Sequence, residues 1–155
     1  MPEEPEFELL TVDPQPALAI RAVVPNDQLA FDMGEWLPAV WKYATDNGIE
    51  LAGPPFTRYH AMGEHETDLE SGLPVTAPRQ GEGRIKPVEL PGGEVASTWH
   101  VGPYDRLPET HRALAEWVAE QGRTQAGPHW EVYWTDPGAE PDPAKWRTQV
   151  LMPLR

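Results

Sequence analysis

The segment Trp130-Glu131-Val132-Tyr133-Trp134 sets one carboxylate among four large apolar or aromatic side chains. Strand alternation puts Glu131 and Tyr133 on one face and Trp130, Val132 and Trp134 on the other. A carboxylate in that surround is partly desolvated, so it either seeks a cation or carries a raised pKa. Ionised, it attracts a cationic ligand whose aromatic body stacks on the rings. Protonated, it can hand a proton to a leaving group. The same register earlier in the chain groups Thr57 with Tyr59, and Phe56, Arg58 and His60 opposite. Two tyrosines and one acid are therefore candidates for a shared space. Two plainer arrangements stay open. Glu131 can be an edge-strand acid in water, or the faces can be reversed, so that Trp130 and Trp134 line the pocket.

Other chemistries find little support. The chain has no Cys, which excludes disulfides, zinc-thiolate sites and thiol nucleophiles. Ser71 and Ser97 are the only serines, and neither lies in a Gly-x-Ser-x-Gly elbow. No phosphate loop or dinucleotide fingerprint occurs, so no cofactor is expected. The five His are scattered. The group His60, Glu64, His65, Glu66 and Asp68 reads as an acidic solvated loop, since its spacing fits no closed tetrahedral metal site. His100 reads as a turn-capping residue and His111 as a satisfied core residue.

The 155 residues suit one domain, taken as 1–155. A net charge of −13 argues against binding nucleic acid or anionic lipid, which want clustered Lys and Arg. No apolar run approaches the ~20 residues of a membrane span. Met1 to Glu8 holds four Glu and no basic residue, the wrong composition for a secretory signal. The expectation is a cytoplasmic protein. Seven Trp supply large rings for a core, a pocket wall, or both.

The elements that must position these residues come in two matching series. Residues 17–24 read as a strand. Met33, Leu37, Val40, Trp41 and Ala44 share a helical face, with Pro38 placed in the first turn, so the helix is expected from about Glu35 to Asn47. Gly48 stops it. Strands are expected at 56–62 and 73–76. The second series has a strand at 94–101 and a helix with Asp105 as N-cap and Pro108 in its first turn. Leu107, His111, Leu114 and Val118 share its inner face, and Gly122 stops it. Strands follow at 130–135 and 145–154. Gly48 and Gly122, Gly53-Pro54 and Gly127-Pro128, and Tyr59 and Tyr133 are each 74 residues apart. An internal duplication follows, with repeat one at about 7–77, a linker at 78–84 and repeat two at 85–154. The expected fold is α+β: a β-α-β-β unit twice over, an antiparallel sheet with two helices, and a ligand cleft at the pseudo-two-fold seam.

Four segments in this order resemble the GyrI-like domain family, whose members also occur fused to AraC-type and MerR-type regulators. They are Gly53 to His60, Asp68 to Val75, His100-Val101-Gly102-Pro103-Tyr104 and Trp130-Glu131-Val132-Tyr133. The resemblance spans roughly residues 7–154. It implies a site for aromatic, lipophilic, often cationic small molecules, with Glu131 as the pocket acid and Tyr59 and Tyr133 as its aromatic partners. Tyr104 matches the family's Gly-Pro-Tyr turn, and Trp41 lies on the helix where members place pocket-lining rings. Some stand-alone members are hydrolases that open cyclopropane rings in DNA-alkylating antibiotics with a Glu and a Tyr. That role would fall to Glu131 and Tyr59. Others inhibit gyrase, a third reading to which the acidic charge lends a little weight. No helix-turn-helix segment is left over, so direct nucleic-acid binding is not expected.

Overall fold

The computed structural model describes residues 6–136 and 138–155. In chain order the strands and α-helices are β1 (Glu8–Val12), β2 (Gln15–Pro25), α1 (Leu29–Asp46), β3 (Phe56–Met62), β4 (Glu66–Pro74), β5 (Ile85–Leu90), β6 (Gly93–Val101), α2 (Leu107–Glu120), β7 (Trp130–Tyr133) and β8 (Arg147–Pro153). The class is α+β with antiparallel strands and two helices, as the sequence predicts. None of the helices is long and apolar enough to cross a membrane among the described residues.

The chain divides into two compact units, Asp13–Gly92 and a second that joins the N-terminal stretch through Val12 to Gly93–Arg155. In the first, neighbouring strands run β3-β4-β2-β5; in the second, β7-β8-β6-β1. The two orders are equivalent. Each unit contains the expected β-α-β-β series plus one more strand, and those extra strands are exchanged. β1 leads the first series in sequence but pairs with β6, while β5 leads the second but pairs with β2.

In the Asp13–Gly92 unit, Trp36, Val40 and Ala44 recur every four residues on α1 and are buried, Trp36 and Val40 against Leu18, Ile20, Leu69 and Leu73 of β2 and β4. A fully buried Val or Leu among them contributes about 1.5–3 kcal/mol through burial. The helix begins six residues before its expected start, with Pro38 inside it rather than in its first turn. Pro38 and Gly34, whose carbonyl the missing N–H would have engaged, both lie on the exposed side, so water can satisfy that carbonyl. Trp41 also departs from its expected inward face. It is 56% exposed, and Trp36 fills the core instead.

The expected acidic loop is another correction. Only residues 63–65 turn, held by the Asn26 amide, which donates to the Gly63 and Glu64 carbonyls at 3.0 and 3.1 Å. Glu66 onward is β4. Its acids find cations across the sheet: Asp68 accepts two hydrogen bonds from Arg21 at 2.9 and 3.0 Å, and Glu70 pairs with Arg58. A register shift between Tyr59 and Ala61 marks a bulge at His60, whose Nε2 reaches Glu70 at 2.8 Å.

In the other unit, α2 buries Leu107, Leu114 and Val118 against Ala96, Val150 and Met152. Asp105 is not the N-cap. It lies in a single 3-10 turn, Tyr104–Arg106, and Arg106 precedes the helix with no side-chain cap. Gly122 ends α2 at φ +71, and Gly48 follows α1 at φ +62, where a β-carbon would be strained. His100 is the structural residue expected of it. Its ring nitrogens lie 2.8 Å from Thr110 Oγ1 and 2.7 Å from the Pro103 carbonyl.

Candidate functional site

β7 is short and its alternation is strict. Glu131 opposes Val150 and Tyr133 opposes Thr148 on β8. Paired side chains share a face in an antiparallel sheet, and Val150 packs with Leu107 and Leu114 of α2. Glu131 and Tyr133 therefore face α2. Glu131 is 1% exposed. Trp130 and Val132 face the other way, where Trp134 meets Trp99 and donates from Nε1 to Gln149 at 3.0 Å.

Tyr133 and His111 both reach the carboxylate. The Tyr133 hydroxyl donates to Glu131 Oε1 at 3.1 Å, and His111 Nε2 lies 3.3 Å from Oε2. His111 comes from the inner face of α2. The helical spacing predicts a core residue there, and the folded chain brings it to the carboxylate. Its ring meets that of His129, with centroids 4.6 Å apart. Beyond Tyr133 lies Tyr104, 5.6 Å away centroid to centroid, and then Trp146 at 5.0 Å from Tyr104. The Trp146 indole is fixed by donating to the Glu140 carbonyl at 2.8 Å. Thr148 Oγ1, opposite Tyr133, is buried with no hydrogen-bond partner among the described residues. Such an atom costs free energy unless something else satisfies it.

The electrostatics follow from burial. His129 is held neutral, its pKa lowered to about 4 by desolvation and by His111, against an opposing pull from Glu131. The Tyr104 phenol is pushed up by burial and by the charges of Glu131 and Asp136. The first effect leaves no positive charge on His129, and the second keeps Tyr104 from becoming an anion near Glu131.

The remaining candidates lie in the Asp13–Gly92 unit. Tyr59 is partly buried against the α1 core, and Thr57 shares its face, hydrogen-bonded to Ser71 at 2.8 Å. Trp41 stands exposed on α1. Among the described residues no group of three or more His, Asp or Glu is arranged to hold a metal ion.

The chain belongs to the GyrI-like small molecule binding domain family, whose family model matches residues 5–155. No curated protein matches it in sequence. Several solved structures share the fold. The crystal structure of the EcmrR C-terminal domain is similar over 97% of this chain and 98% of that one, at 23% identity and TM-score 0.87. In the EcmrR–DNA complex the match has TM-score 0.86 and 23% identity over 97% of this chain, which spans only 57% of that longer chain. A hydrolase from Listeria innocua matches at 17% identity and TM-score 0.66, covering 97% of this chain and 92% of that one. SAV2435 bound to tetraphenylphosphonium matches at 12% identity and TM-score 0.60, covering 97% and 94%.

Proposed function

We propose that the chain binds aromatic, lipophilic cations, with Glu131 ionised as their counter-charge. The observation that carries this is a carboxylate 1% exposed beside the rings of Tyr133 and Tyr104. A buried acid is costly unless paired, so the site favours a positive ligand. Each aromatic face adds about 0.5–2 kcal/mol toward a cation. Several rings and one carboxylate reach micromolar affinity, about −8 kcal/mol. Stacking tolerates many shapes, so several flat or propeller-shaped cations should compete. Tyr59 and Trp41 enter the site on the family resemblance, and Y59F and W41A test each. The central experiment titrates tetraphenylphosphonium, the compound in the SAV2435 structure, against wild type and E131Q by tryptophan fluorescence. Tenfold or weaker binding to E131Q is expected, and equal affinity removes Glu131 from the account.

A second reading is hydrolysis of a strained ring, favoured by the phenol–carboxyl contact of Tyr133 and Glu131 at 3.1 Å. Glu131 would take a proton from water as its oxygen bonds to a cyclopropane carbon. The breaking C–C pair would pass into a conjugated carbonyl, whose oxygen takes a proton from a phenol, with Tyr59 the residue named by resemblance. Incubation with a cyclopropane-bearing alkylator and mass analysis for a water adduct tests it. Turnover no faster than buffer leaves binding alone.

A further inference from the structure

We infer that His111, as its imidazolium, is the internal counter-ion of Glu131 and that a bound cation displaces its proton. The inference rests on the binding reading above and adds its coupling to protons. An ionised carboxylate only accepts hydrogen bonds, so the 3.3 Å contact to Oε2 places an N–H at His111 Nε2, which the neutral tautomer and the imidazolium both provide. Glu131 is 1% exposed, so water does little to screen its charge, and a positive neighbour is favoured while no ligand is present. A second positive charge at the same carboxylate makes the first redundant and repels it, and histidine can lose its charge near neutral pH.

Among the described residues of this unit, the other titratable groups near His111 are neutral, engaged elsewhere or exposed. His129 stays uncharged through the neutral range. Tyr133 donates to the opposite carboxylate oxygen, and Tyr104 is held protonated. On β6, His100 is engaged with Thr110 and Pro103. On β8, Arg147 stacks over Trp99, away from α2. Glu109, Arg112 and Glu116 of α2 are exposed.

Linkage then fixes the consequence. Cation affinity rises with pH, by up to about tenfold per unit while His111 is charged, and levels off once it is neutral. The test is calorimetry of tetraphenylphosphonium binding to the full chain in two buffers of different ionisation enthalpy, from pH 5.5 to 8.5. Wild type should release up to about one proton per cation. H111Q should release markedly fewer, show a flatter pH profile and bind more tightly than wild type at pH 5.5. H65Q, altered at an exposed His, should keep the wild-type slope. Equal slopes in wild type and H111Q, or no proton release by wild type, overturn the inference. The wild-type proton count decides the matter even if H111Q does not fold. Unchanged affinity in E131Q removes Glu131 as the counter-charge, and the role of His111 with it, while cation binding stands. Weakened binding in E131Q without proton exchange sinks only the role of His111. No binding of the cation at any pH sinks both.

Discussion

Glu131 and Thr57 occupy the same register position in two copies of one unit, 74 residues apart, and both are buried. Thr57 satisfies itself on Ser71 at 2.8 Å. Glu131 needs a tyrosine and a histidine. Each unit thus buries a polar side chain at this position, a hydroxyl in one and a carboxylate in the other.

The charge should be what the site reads. Triphenylphosphine oxide carries similar rings without a positive charge. Its affinity should be nearly the same for wild type and E131Q, while tetraphenylphosphonium discriminates between them at least tenfold, about 1.4 kcal/mol. Competition titrations decide this, and equal discrimination by both compounds would point to packing rather than charge.

Acid should weaken the fold through His129. Its folded pKa, about 4, lies below the ordinary 6.5, so the unfolded chain binds more protons between those values. The stability is fully present above about pH 6.5 and is lost as pH falls toward 4. A discounted cost on the order of 2 kcal/mol is expected across that window. Urea midpoints measured from pH 7 to 4 should fall less steeply for H129N than for wild type.

Arg58→Met should destabilise the protein by on the order of 3 kcal/mol, because it leaves the Glu70 carboxylate, 2% exposed, without its guanidinium. The melting temperature should drop by about 6–12 °C. The double variant R58M/E70M should recover much of that loss. A double variant no more stable than R58M would mean that the charge on Glu70 is not the source of the cost.

Two glycines should differ sharply. A β-carbon on Gly72 would lie 2.0 Å from the Leu18 carbonyl oxygen, so G72A forces β2 and β4 apart and should cost on the order of 3 kcal/mol or more. Gly122 has open space but φ +71, so G122A should cost about 1–2 kcal/mol of backbone strain alone. Thermal melts of both variants rank them.

Local pattern was sufficient for much of this protein. Glycine stops at 48 and 122, the 74-residue offset and the alternation of β7 are properties of neighbours in sequence. They announced the duplication, both helices, the antiparallel α+β class and the pairing of Glu131 with Tyr133 on one face. Burial of Glu131, and the side of β7 that α2 covers, needed the packed structure. So did β4, where acids that look solvated in sequence are matched by Arg21, Arg58 and His60 from other strands. The exchange of β1 and β5 left no local trace, since edge strands bury little and carry weak alternation. His111 shows the same division. Its helical spacing marked an inward position, but what stands opposite an inward side chain is set by long-range pairing, and that alone turned an expected core histidine into the partner of the buried acid.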